Sequence, residues 1–164
     1  MQYTQHYRSP IGDILLAADD AGLTGLWFEG ARYYAQNLAH EHRSGETPYL
    51  AEACRWLDIY FSGRAPEFLP VLHMQGTAFQ IAVWRELLRI PYGMTTTYGD
   101  LAQIVAKTMS RTAMSAQAIG NAVSHNNISI IIPCHRVIGR DGSMVGYAGG
   151  MDKKEYLLNL ERGQ

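Results

Sequence analysis

The stretch from residue 130 to residue 139, Ile-Ile-Ile-Pro-Cys-His-Arg-Val-Ile-Gly, constrains this chain more than any other part of its sequence. Its three isoleucines predict a short buried strand, because β-branched side chains pack well on a pleated surface. Pro133 ends the pairing of that strand, and apolar residues resume at Val137. The sequence therefore predicts that Cys134 and His135 are held rigidly between two anchored apolar segments.

A thiol beside an imidazole is a candidate nucleophile, because a nearby base can take its proton. Adjacent side chains in regular structure point apart, so we expect a bridging water to carry the proton from Cys134 to His135 unless the backbone turns sharply. A third group has to fix the tautomer of the imidazole, and Glu161, at the end of the last predicted helix, is the most attractive acidic candidate. A basic neighbour lowers the pKa of a thiol, so we expect Cys134 to be mostly thiolate at neutral pH.

Other interpretations of this cysteine-histidine pair have to be weighed. Taken alone, such a dipeptide more often combines a buried structural cysteine with a satisfied surface histidine. A zinc site is less favoured than either, because Cys54 lies in a different segment and neither a Cys-x-x-Cys nor a His-x-x-x-His spacing occurs. The sequence around the pair therefore has to decide between a structural and a reactive cysteine.

The composition suits a compact protein. The chain has 164 residues, of which 47% are hydrophobic and 18% charged, which is typical of one domain or of two small domains sharing a core. It contains no apolar run of membrane-spanning length, and its first residues lack the basic and apolar blocks of a signal peptide. Its two cysteines give no indication of an oxidising compartment. We therefore expect a cytoplasmic protein without membrane association.

The charges are unevenly distributed along the chain. Residues 1–76 carry five basic and nine acidic side chains, a net charge of −4, whereas residues 77–164 carry nine basic and six acidic ones, a net charge of +3. The positive half contains Cys134, which mildly favours an anionic partner there. A mixed, solvated surface gives much the same balance, so the charge alone does not identify the partner.

The first seventy residues predict a small antiparallel sheet with one or two helices. The predicted strands and the turns between them are residues 3–7, 9–12, 14–18, 19–22 and 23–28. Residues 31–43 are mixed in character and predict either a short helix or a loop. A better helix is predicted over residues 49–61, which have one apolar face and Pro48 just before their start.

The remaining half of the chain predicts four helices. They cover residues 77–89, 98–107, 116–124 and 152–161. The predicted N-caps are Thr77, Thr97 and Ser115, whose hydroxyl groups can accept hydrogen bonds from the first helical turn. In the last helix, Tyr156, Leu157 and Leu160 are predicted to form the buried stripe.

The two helices over residues 98–107 and 116–124 are short, and the second consists largely of small side chains. Two such helices in succession, the second with a slim surface, are typical of a helix-turn-helix. Ordinary close packing of helices selects alanine and glycine as well. The residues alone leave both interpretations open.

The segment 132–139 resembles the active-site motif of the O6-alkylguanine-DNA alkyltransferases, also called methylated-DNA–protein-cysteine methyltransferases. The similarity extends over nearly the whole chain, and its motifs are highly specific. Further matching positions lie within residues 9–12, 25–28, 79–84, 91–93, 97–102, 116–126, 147–150 and 153–161. The resemblance favours a reactive over a structural cysteine.

This family implies an α+β fold. A small N-terminal α/β domain with an antiparallel sheet, residues 1–73, is expected to pack on a mostly helical C-terminal domain, residues 74–164. The second domain is expected to contain a winged-helix-like helix-turn-helix. A monomer is expected.

The family also implies a reaction and a partner. The helix-turn-helix enters the minor groove of double-stranded DNA, and the alkylated guanine is flipped into a pocket beside the cysteine, because its O6 atom is hidden inside a duplex. The thiolate of Cys134 then takes the alkyl group from O6-alkylguanine, and from O4-alkylthymine, in one displacement. The thioether product has no cheap route back to the thiol, so each protein molecule acts once. Neither a cofactor nor a metal is expected.

By position, the resemblance assigns roles to individual residues. Cys134 is the alkyl acceptor, His135 is its water-mediated base, and Glu161 orients the imidazole. Asn126 braces the active-site turn, and Tyr98 donates its phenolic proton to the leaving guanine. The residues expected to line the base pocket are Val123, Val137, Tyr147, Ala148 and Gly149. The residues expected to contact DNA are Ala116, Gln117, Gly120 and Arg140.

This chain departs from the family pattern at two positions. Gln117 stands where the recognition helix usually carries an arginine that fills the gap left by the flipped base. Glutamine can hydrogen-bond an orphaned cytosine, but it supplies neither a cation nor a flat guanidinium group. Asn127 stands where a proline commonly follows Asn126, which predicts a more flexible start of the strand expected over residues 128–132.

Two other functional classes remain to be compared with a repair transferase. Alkyltransferase-like proteins keep the fold and bind damaged DNA without transferring the alkyl group, but they lack the cysteine, so Cys134 argues against this class. A cysteine hydrolase needs an oxyanion hole and an intermediate that turns over. No sequence feature indicates either.

Overall fold

The computed structural model describes residues 1–143 and 147–163. Its N-terminal half contains strands β1 (Gln2–Ser9), β2 (Gly12–Ala18), β3 (Leu23–Phe28) and β4 (His42–Ser44), followed by helix α1 (Pro48–Phe61). The four strands form one sheet in the order β3-β2-β1-β4, in which β1 to β3 are antiparallel and β4 runs parallel to β1. The predicted antiparallel sheet is confirmed.

The turn between β2 and β3 also holds the segment after α1 against the sheet. The Asp19 carboxylate accepts hydrogen bonds from the backbone N–H groups of Ala21 and Gly22. A Cβ atom on Gly22 would lie 2.8 Å from the carbonyl oxygen of Val71, and the φ of Gly22 is +156°. Only glycine fits this close backbone approach without a shift. Beside it, the Leu23 N–H donates to the same Val71 oxygen over 2.8 Å.

The second half of the chain is mostly helical. Its elements are α2 (Ala78–Leu87), β5 (Thr96–Thr97), α3 (Tyr98–Thr108), α4 (Ala116–Ser124), β6 (Val137–Ile138) and α5 (Met151–Glu161). The three predicted N-caps are confirmed, because the side chains of Thr77, Thr97 and Ser115 each accept a backbone N–H from the first turn of their helix. Gln80 completes a capping box with Thr77. The α+β fold class is confirmed as well.

Helices α3 and α4 pack against each other, as expected of a helix-turn-helix pair. The small side chains of α4 also allow close packing, since a Cβ on Gly120 would lie 3.8 Å from the Tyr98 ring. On another face, the Trp84 indole N–H of α2 donates to the Ala122 carbonyl over 2.9 Å. The helix-turn-helix interpretation and the close-packing interpretation of the small residues therefore each describe part of α4.

A single hydrophobic core joins the two halves of the chain. Leu26 of β3 connects them through its backbone, because its N–H donates to the Asn127 carbonyl over 2.8 Å and its carbonyl accepts the Ser129 N–H over 3.0 Å. Leu26 and Ile128 thereby form an isolated parallel bridge. The segment that precedes Cys134 is thus fixed to the edge of the N-terminal sheet.

Several sequence-based predictions were wrong in detail. Residues 130–132 are buried, as predicted, but they form turns and not a strand. For residues 31–43, predicted as a helix or a loop, the loop is confirmed, because turns fill the segment up to the start of β4. In α5, Tyr156 is 36% exposed and Leu160 only half-buried, because the face that meets the core carries other residues. The buried residues of α5 are Lys154, Leu157, Leu158 and Glu161.

Among the helices formed by the described residues, none has the length and apolar character needed to cross a bilayer.

Candidate active site

Residues 126–133 form a compact turn that is built around one amide side chain. The Asn126 side-chain nitrogen donates to the carbonyls of Ile128 and Ile132, over 3.2 and 2.8 Å, and its oxygen accepts the Ile128 N–H over 3.0 Å. Ile130 has a φ of +69°, which is rare for a β-branched residue and costs on the order of 1–3 kcal/mol. These local bonds replace the ladder of the expected strand.

Asn127 anchors the same turn to other parts of the chain. Its side-chain oxygen accepts a hydrogen bond from Gln36 over 2.7 Å, and its side-chain nitrogen donates to the Gln75 carbonyl over 3.1 Å. These bonds argue against the more flexible start of this segment, which stays a prediction. The side chain of Asn127 supplies two tertiary hydrogen bonds that a proline cannot make.

Directly after this turn, Cys134, His135 and Arg136 form a single 3₁₀ turn. Cys134 is 5% exposed and His135 is completely buried. The Cys134 N–H donates to the Ile132 carbonyl over 2.8 Å, and the Arg136 N–H donates to the Pro133 carbonyl over 3.0 Å. The backbone therefore turns sharply after Pro133, and the reactive residues lie in the core rather than on a surface loop.

A buried network of hydrogen bonds converges on the carboxylate of Glu161. One oxygen accepts His135 Nε2 at 2.5 Å and the Tyr60 hydroxyl at 2.6 Å. The other oxygen accepts Arg136 Nε at 2.8 Å and the Gly93 N–H at 3.0 Å. Burying a charge is costly unless its lone pairs are satisfied, and here four donors from three segments of the chain satisfy them.

This network determines the protonation states of its members. Burial alone would raise the pKa of Glu161, but the hydrogen bonds from His135 and Arg136 and the charge of Arg136 outweigh it and lower that pKa to about 2. Burial lowers the pKa of His135 against the opposing effect of Glu161. The imidazole is therefore neutral at neutral pH, with its proton on Nε2 towards the carboxylate.

The other ring nitrogen of His135, Nδ1, is buried and has no hydrogen-bond partner among the described residues. In the neutral tautomer set by Glu161, this nitrogen carries a lone pair. Nδ1 is thus the atom of the site that is able to take up a proton.

The thiol of Cys134 is not pre-ionised. Burial raises its pKa, against smaller opposing effects from the Asn126 side chain and the charge of Lys154. The prediction that a basic neighbour keeps Cys134 mostly as thiolate is therefore wrong, because His135 is neutral and desolvation dominates. The proton has to be removed when the thiol reacts.

Two further polar side chains lie near the thiol. Burial, and to a smaller extent the charge of Cys134, raise the pKa of Tyr98 to about 12, so its hydroxyl stays protonated at neutral pH. Lys154 is fully buried, and its ammonium group donates to the Val137 carbonyl over 2.5 Å and lies 6.0 Å from the centre of the Tyr98 ring. The ammonium group of Lys154 thus lies beside the Tyr98 ring.

The residues expected to line a base pocket lie around this centre. Val123 and Val137 are buried in the core, and Tyr147 is 9% exposed. Ala148 and Gly149 are half-buried. A Cβ on Gly149 would lie 2.7 Å from the Tyr147 ring, so this position has room only for glycine.

The expected DNA-contacting residues are divided between two places. Ala116, Gln117 and Gly120 line a groove of about 950 Å³ along α4, together with Tyr98. Arg140 does not line this groove; it is exposed in the turn after β6. The groove thus combines one expected catalytic residue with three of the four expected DNA contacts.

The sequence-based interpretation missed four residues of this region. Tyr60, Arg136 and Lys154 belong to the buried site, and Arg32 lines the groove. The burial of Lys154 could have been predicted from the sequence. Lys154 precedes Glu161 by seven residues, so a buried Glu161 places both side chains on the same face of the helix. Tyr60 had no local signal, because its helix belongs to the other half of the chain.

Two protein-family models match this chain. The ribonuclease-like domain of 6-O-methylguanine DNA methyltransferase matches residues 2–71, and the DNA binding domain of 6-O-methylguanine DNA methyltransferase matches residues 78–163. Together they cover most of the sequence.

Curated relatives match over nearly their full length. A protein of Mycobacterium leprae named methylated-DNA–protein-cysteine methyltransferase is 42% identical over 164 residues, covering 100% of this chain and 94% of that protein. A protein of the same name from Methanosarcina barkeri is 43% identical and covers 97% and 96%.

Solved structures show the same fold. The crystal structure of OGT from Mycobacterium tuberculosis in complex with DNA matches with a TM-score of 0.84 and 37% identity, covering 98% of this chain and 93% of that one. An O6-methylguanine DNA methyltransferase from Methanococcus jannaschii matches with a TM-score of 0.64 and 26% identity, covering 98% and 94%. The chain belongs to the 6-O-methylguanine DNA methyltransferase family.

Proposed function

We propose that this protein repairs DNA by transferring the alkyl group of O6-alkylguanine to its own Cys134. The observation that carries the proposal is a buried cysteine beside a neutral histidine whose tautomer is set by an ionised glutamate. The proposal is supported by relatives that cover the whole chain and carry the name methylated-DNA–protein-cysteine methyltransferase.

The reaction starts with removal of the thiol proton. His135 Nδ1 takes the proton of Cys134 through a bridging water, and the carboxylate of Glu161 stabilises the imidazolium that forms. Because the thiol and imidazole are both neutral at rest, the site avoids burying a separated pair of charges before the substrate arrives.

The thiolate then displaces guanine from the alkyl carbon. A bond forms between Sγ and that carbon, the bond between the carbon and O6 breaks, and its electron pair moves onto the guanine ring. Tyr98 donates its phenolic proton to the leaving guanine and regains one from solvent. The Tyr98 hydroxyl is suited to this role because burial raises its pKa to about 12 and keeps it protonated.

Transfer consumes the protein. The product is a neutral thioether, and water does not readily break its carbon–sulfur bond because an alkyl thiolate is a poor leaving group, so one molecule repairs one lesion. No cofactor takes part in this displacement. The same chemistry extends to O4-alkylthymine, in which an alkyl carbon is likewise bound to an oxygen of the base.

DNA binds along the groove in front of α4. The damaged nucleotide leaves the stack and enters the space bordered by Val137, Tyr147, Ala148 and Gly149. We assign residues 1–73 and 74–164 to separate domains, which agrees with the ranges of the two family models. The protein acts as a monomer, in the cytoplasm, where its two free cysteines stay reduced.

Intact-mass measurement tests the proposal. After incubation with a duplex containing O6-methylguanine, the protein gains one methylene equivalent per molecule and no more. The Cys134→Ser variant gains nothing, whereas Cys54→Ser, the matched change at the other cysteine, gains the same mass as the unmodified chain. Absence of a mass gain in the unmodified chain, or turnover beyond one lesion per molecule, contradicts the proposal.

A further inference from the structure

The groove in front of α4 has two walls that come from different halves of the chain. One wall is α4, with Gln117, Gly120 and Asn121. The other is the segment after β3, which contributes Arg32 and Tyr33. DNA lying along α4 therefore meets this N-terminal segment as well.

The charges of the two walls differ. Among the residues that the structure describes, Arg32 is the one charged side chain lining the groove. Helix α4 presents the neutral Gln117 at the position where the family pattern usually has an arginine. Double-stranded DNA carries a negative charge about every 1.7 Å of its axis, and a groove that binds it gains affinity from each cation placed on a phosphate.

Arg32 is held in place by neighbours on both sides. Its backbone N–H donates to the Ala148 carbonyl over 3.0 Å, which fixes it beside the expected base pocket. Its guanidinium carbon lies 5.5 Å from the centre of the Tyr33 ring. The Tyr33 ring stacks on His125 with a centroid distance of 3.9 Å and an interplanar angle of 27°.

The backbone of this segment is also fixed relative to α4. Tyr33 has a φ of 60°, which is uncommon for a bulky residue and has to be held by its surroundings. Gln36 donates to the His125 carbonyl over 3.0 Å and to the Asn127 side chain over 2.7 Å. His125 is the C-cap of α4, so these bonds join the segment to the end of the recognition helix.

We propose that Arg32 supplies the cation that α4 lacks, by binding a DNA phosphate next to the flipped nucleotide. Its backbone bond to Ala148 places it at the mouth of the base pocket, and the stack on Tyr33 and His125 orients it. This inference rests on the proposed function, since it concerns the same bound duplex.

Duplex binding measured over a range of salt concentrations tests the assignment. Arg32→Gln weakens binding of an O6-methylguanine duplex by about tenfold at low salt, and it reduces the slope of log K against log salt by about one. At sub-saturating duplex, the transfer rate falls in proportion to the lost affinity. Arg43→Gln, an equal charge change at an exposed position of β4 outside the groove, leaves affinity and slope close to those of the unmodified chain.

Two further variants separate charge from geometry. Arg32→Lys keeps most of the salt slope because it keeps the cation. In the Arg32→Gln background, Gln117→Arg restores part of the lost affinity, because it places a cation on the opposite wall.

The possible results lead to distinct conclusions. If Arg32→Gln behaves like Arg43→Gln, or weakens binding without reducing the salt slope, the assignment of Arg32 to a phosphate is overturned. If the unmodified chain binds the duplex but transfers no alkyl group, the proposed function fails, and the binding data for Arg32 still stand on their own.

Discussion

The buried network around Glu161 and the groove along α4 lie next to each other, but they differ in how far their polar groups are exposed to water. At the centre, the carboxylate of Glu161 is buried and accepts four hydrogen bonds from three separate segments. In the groove, Gln117 and Arg32 are exposed to water. Tyr98 belongs to both regions, since it lines the groove and lies near the thiol.

Because of this difference, we expect substitutions in the buried network to affect stability and substitutions in the groove to affect DNA affinity. A buried polar group that loses its partner keeps its full desolvation cost, so each member of the Glu161 network supports both the fold and the reaction. An exposed group that loses its partner is solvated again, so changes in the groove alter binding with little effect on folding. The following predictions test that division.

The largest effect is expected for Glu161→Gln. Loss of the negative charge leaves Arg136 buried without its counter-ion and lets the imidazole of His135 reorient, so we expect a loss of about 3–5 kcal/mol in the free energy of unfolding. The single-turnover transfer rate falls by about 100-fold or more. Urea unfolding and rapid-quench transfer assays measure the two effects. Glu155→Gln, at an exposed position of the same helix, changes stability by less than about 0.5 kcal/mol.

Acid unfolding gives a second readout of the same substitution. Because the folded-state pKa of Glu161 lies at about 2, below its usual 4.5, the unfolded chain binds more protons between these values, and stability falls as the pH drops through that window. The contribution of Glu161 is about 3 kcal/mol. Glu161→Gln removes it, so the stability of the variant falls less steeply between pH 4.5 and 2. Equal slopes in both proteins contradict the charged state assigned to Glu161.

An intermediate effect is expected for Tyr60→Phe. This change removes the hydroxyl that donates to Glu161 but keeps the ring, which stacks on Trp56 with a centroid distance of 5.2 Å. We expect a loss of about 1–2 kcal/mol in urea unfolding and a transfer rate within about tenfold of the original. Tyr7→Phe is the matched control, because its hydroxyl donates to Asp58 at an exposed position and is expected to contribute less than about 1 kcal/mol. Equal losses in the two variants argue that burial of the network adds nothing.

The smallest effect on stability is expected for Gln117→Arg. The side chain is exposed in the groove, so the free energy of unfolding changes by less than about 0.5 kcal/mol. Duplex binding tightens by about tenfold at low salt, and its salt slope steepens by about one. Fluorescence anisotropy at several salt concentrations measures both. Unchanged binding across salt shows that this position does not meet a phosphate or a base.

The features that could be predicted from the sequence are those that depend on residues close to one another along the chain. The capping hydroxyls of Thr77, Thr97 and Ser115 lie within three residues of the N–H groups they satisfy, so each helix start was readable from neighbouring residues. The alternating strands of the N-terminal sheet and the turns between them were readable for the same reason. The reactive motif around Cys134 was equally local, and it identified the family.

The form of the turn before Cys134 depends on contacts that the local sequence does not reveal. Three consecutive isoleucines have a strong strand propensity, but the side chain of Asn126 satisfies the local carbonyls and bends the segment into turns. Contact with Leu26 of β3 then fixes that bend from the other half of the chain. Local propensity is a weak energy that such contacts override.

Long-range contacts also determine the protonation state of Cys134 and which distant residues form the site and the groove. The pKa of Cys134 depends on burial, which its neighbours in sequence do not reveal. Tyr60 and Arg32 reach the centre and the groove from segments that lie more than 70 residues before Cys134. Residue type and spacing thus predicted a nucleophile and its base, whereas long-range packing determines their protonation states and places Arg32 opposite α4.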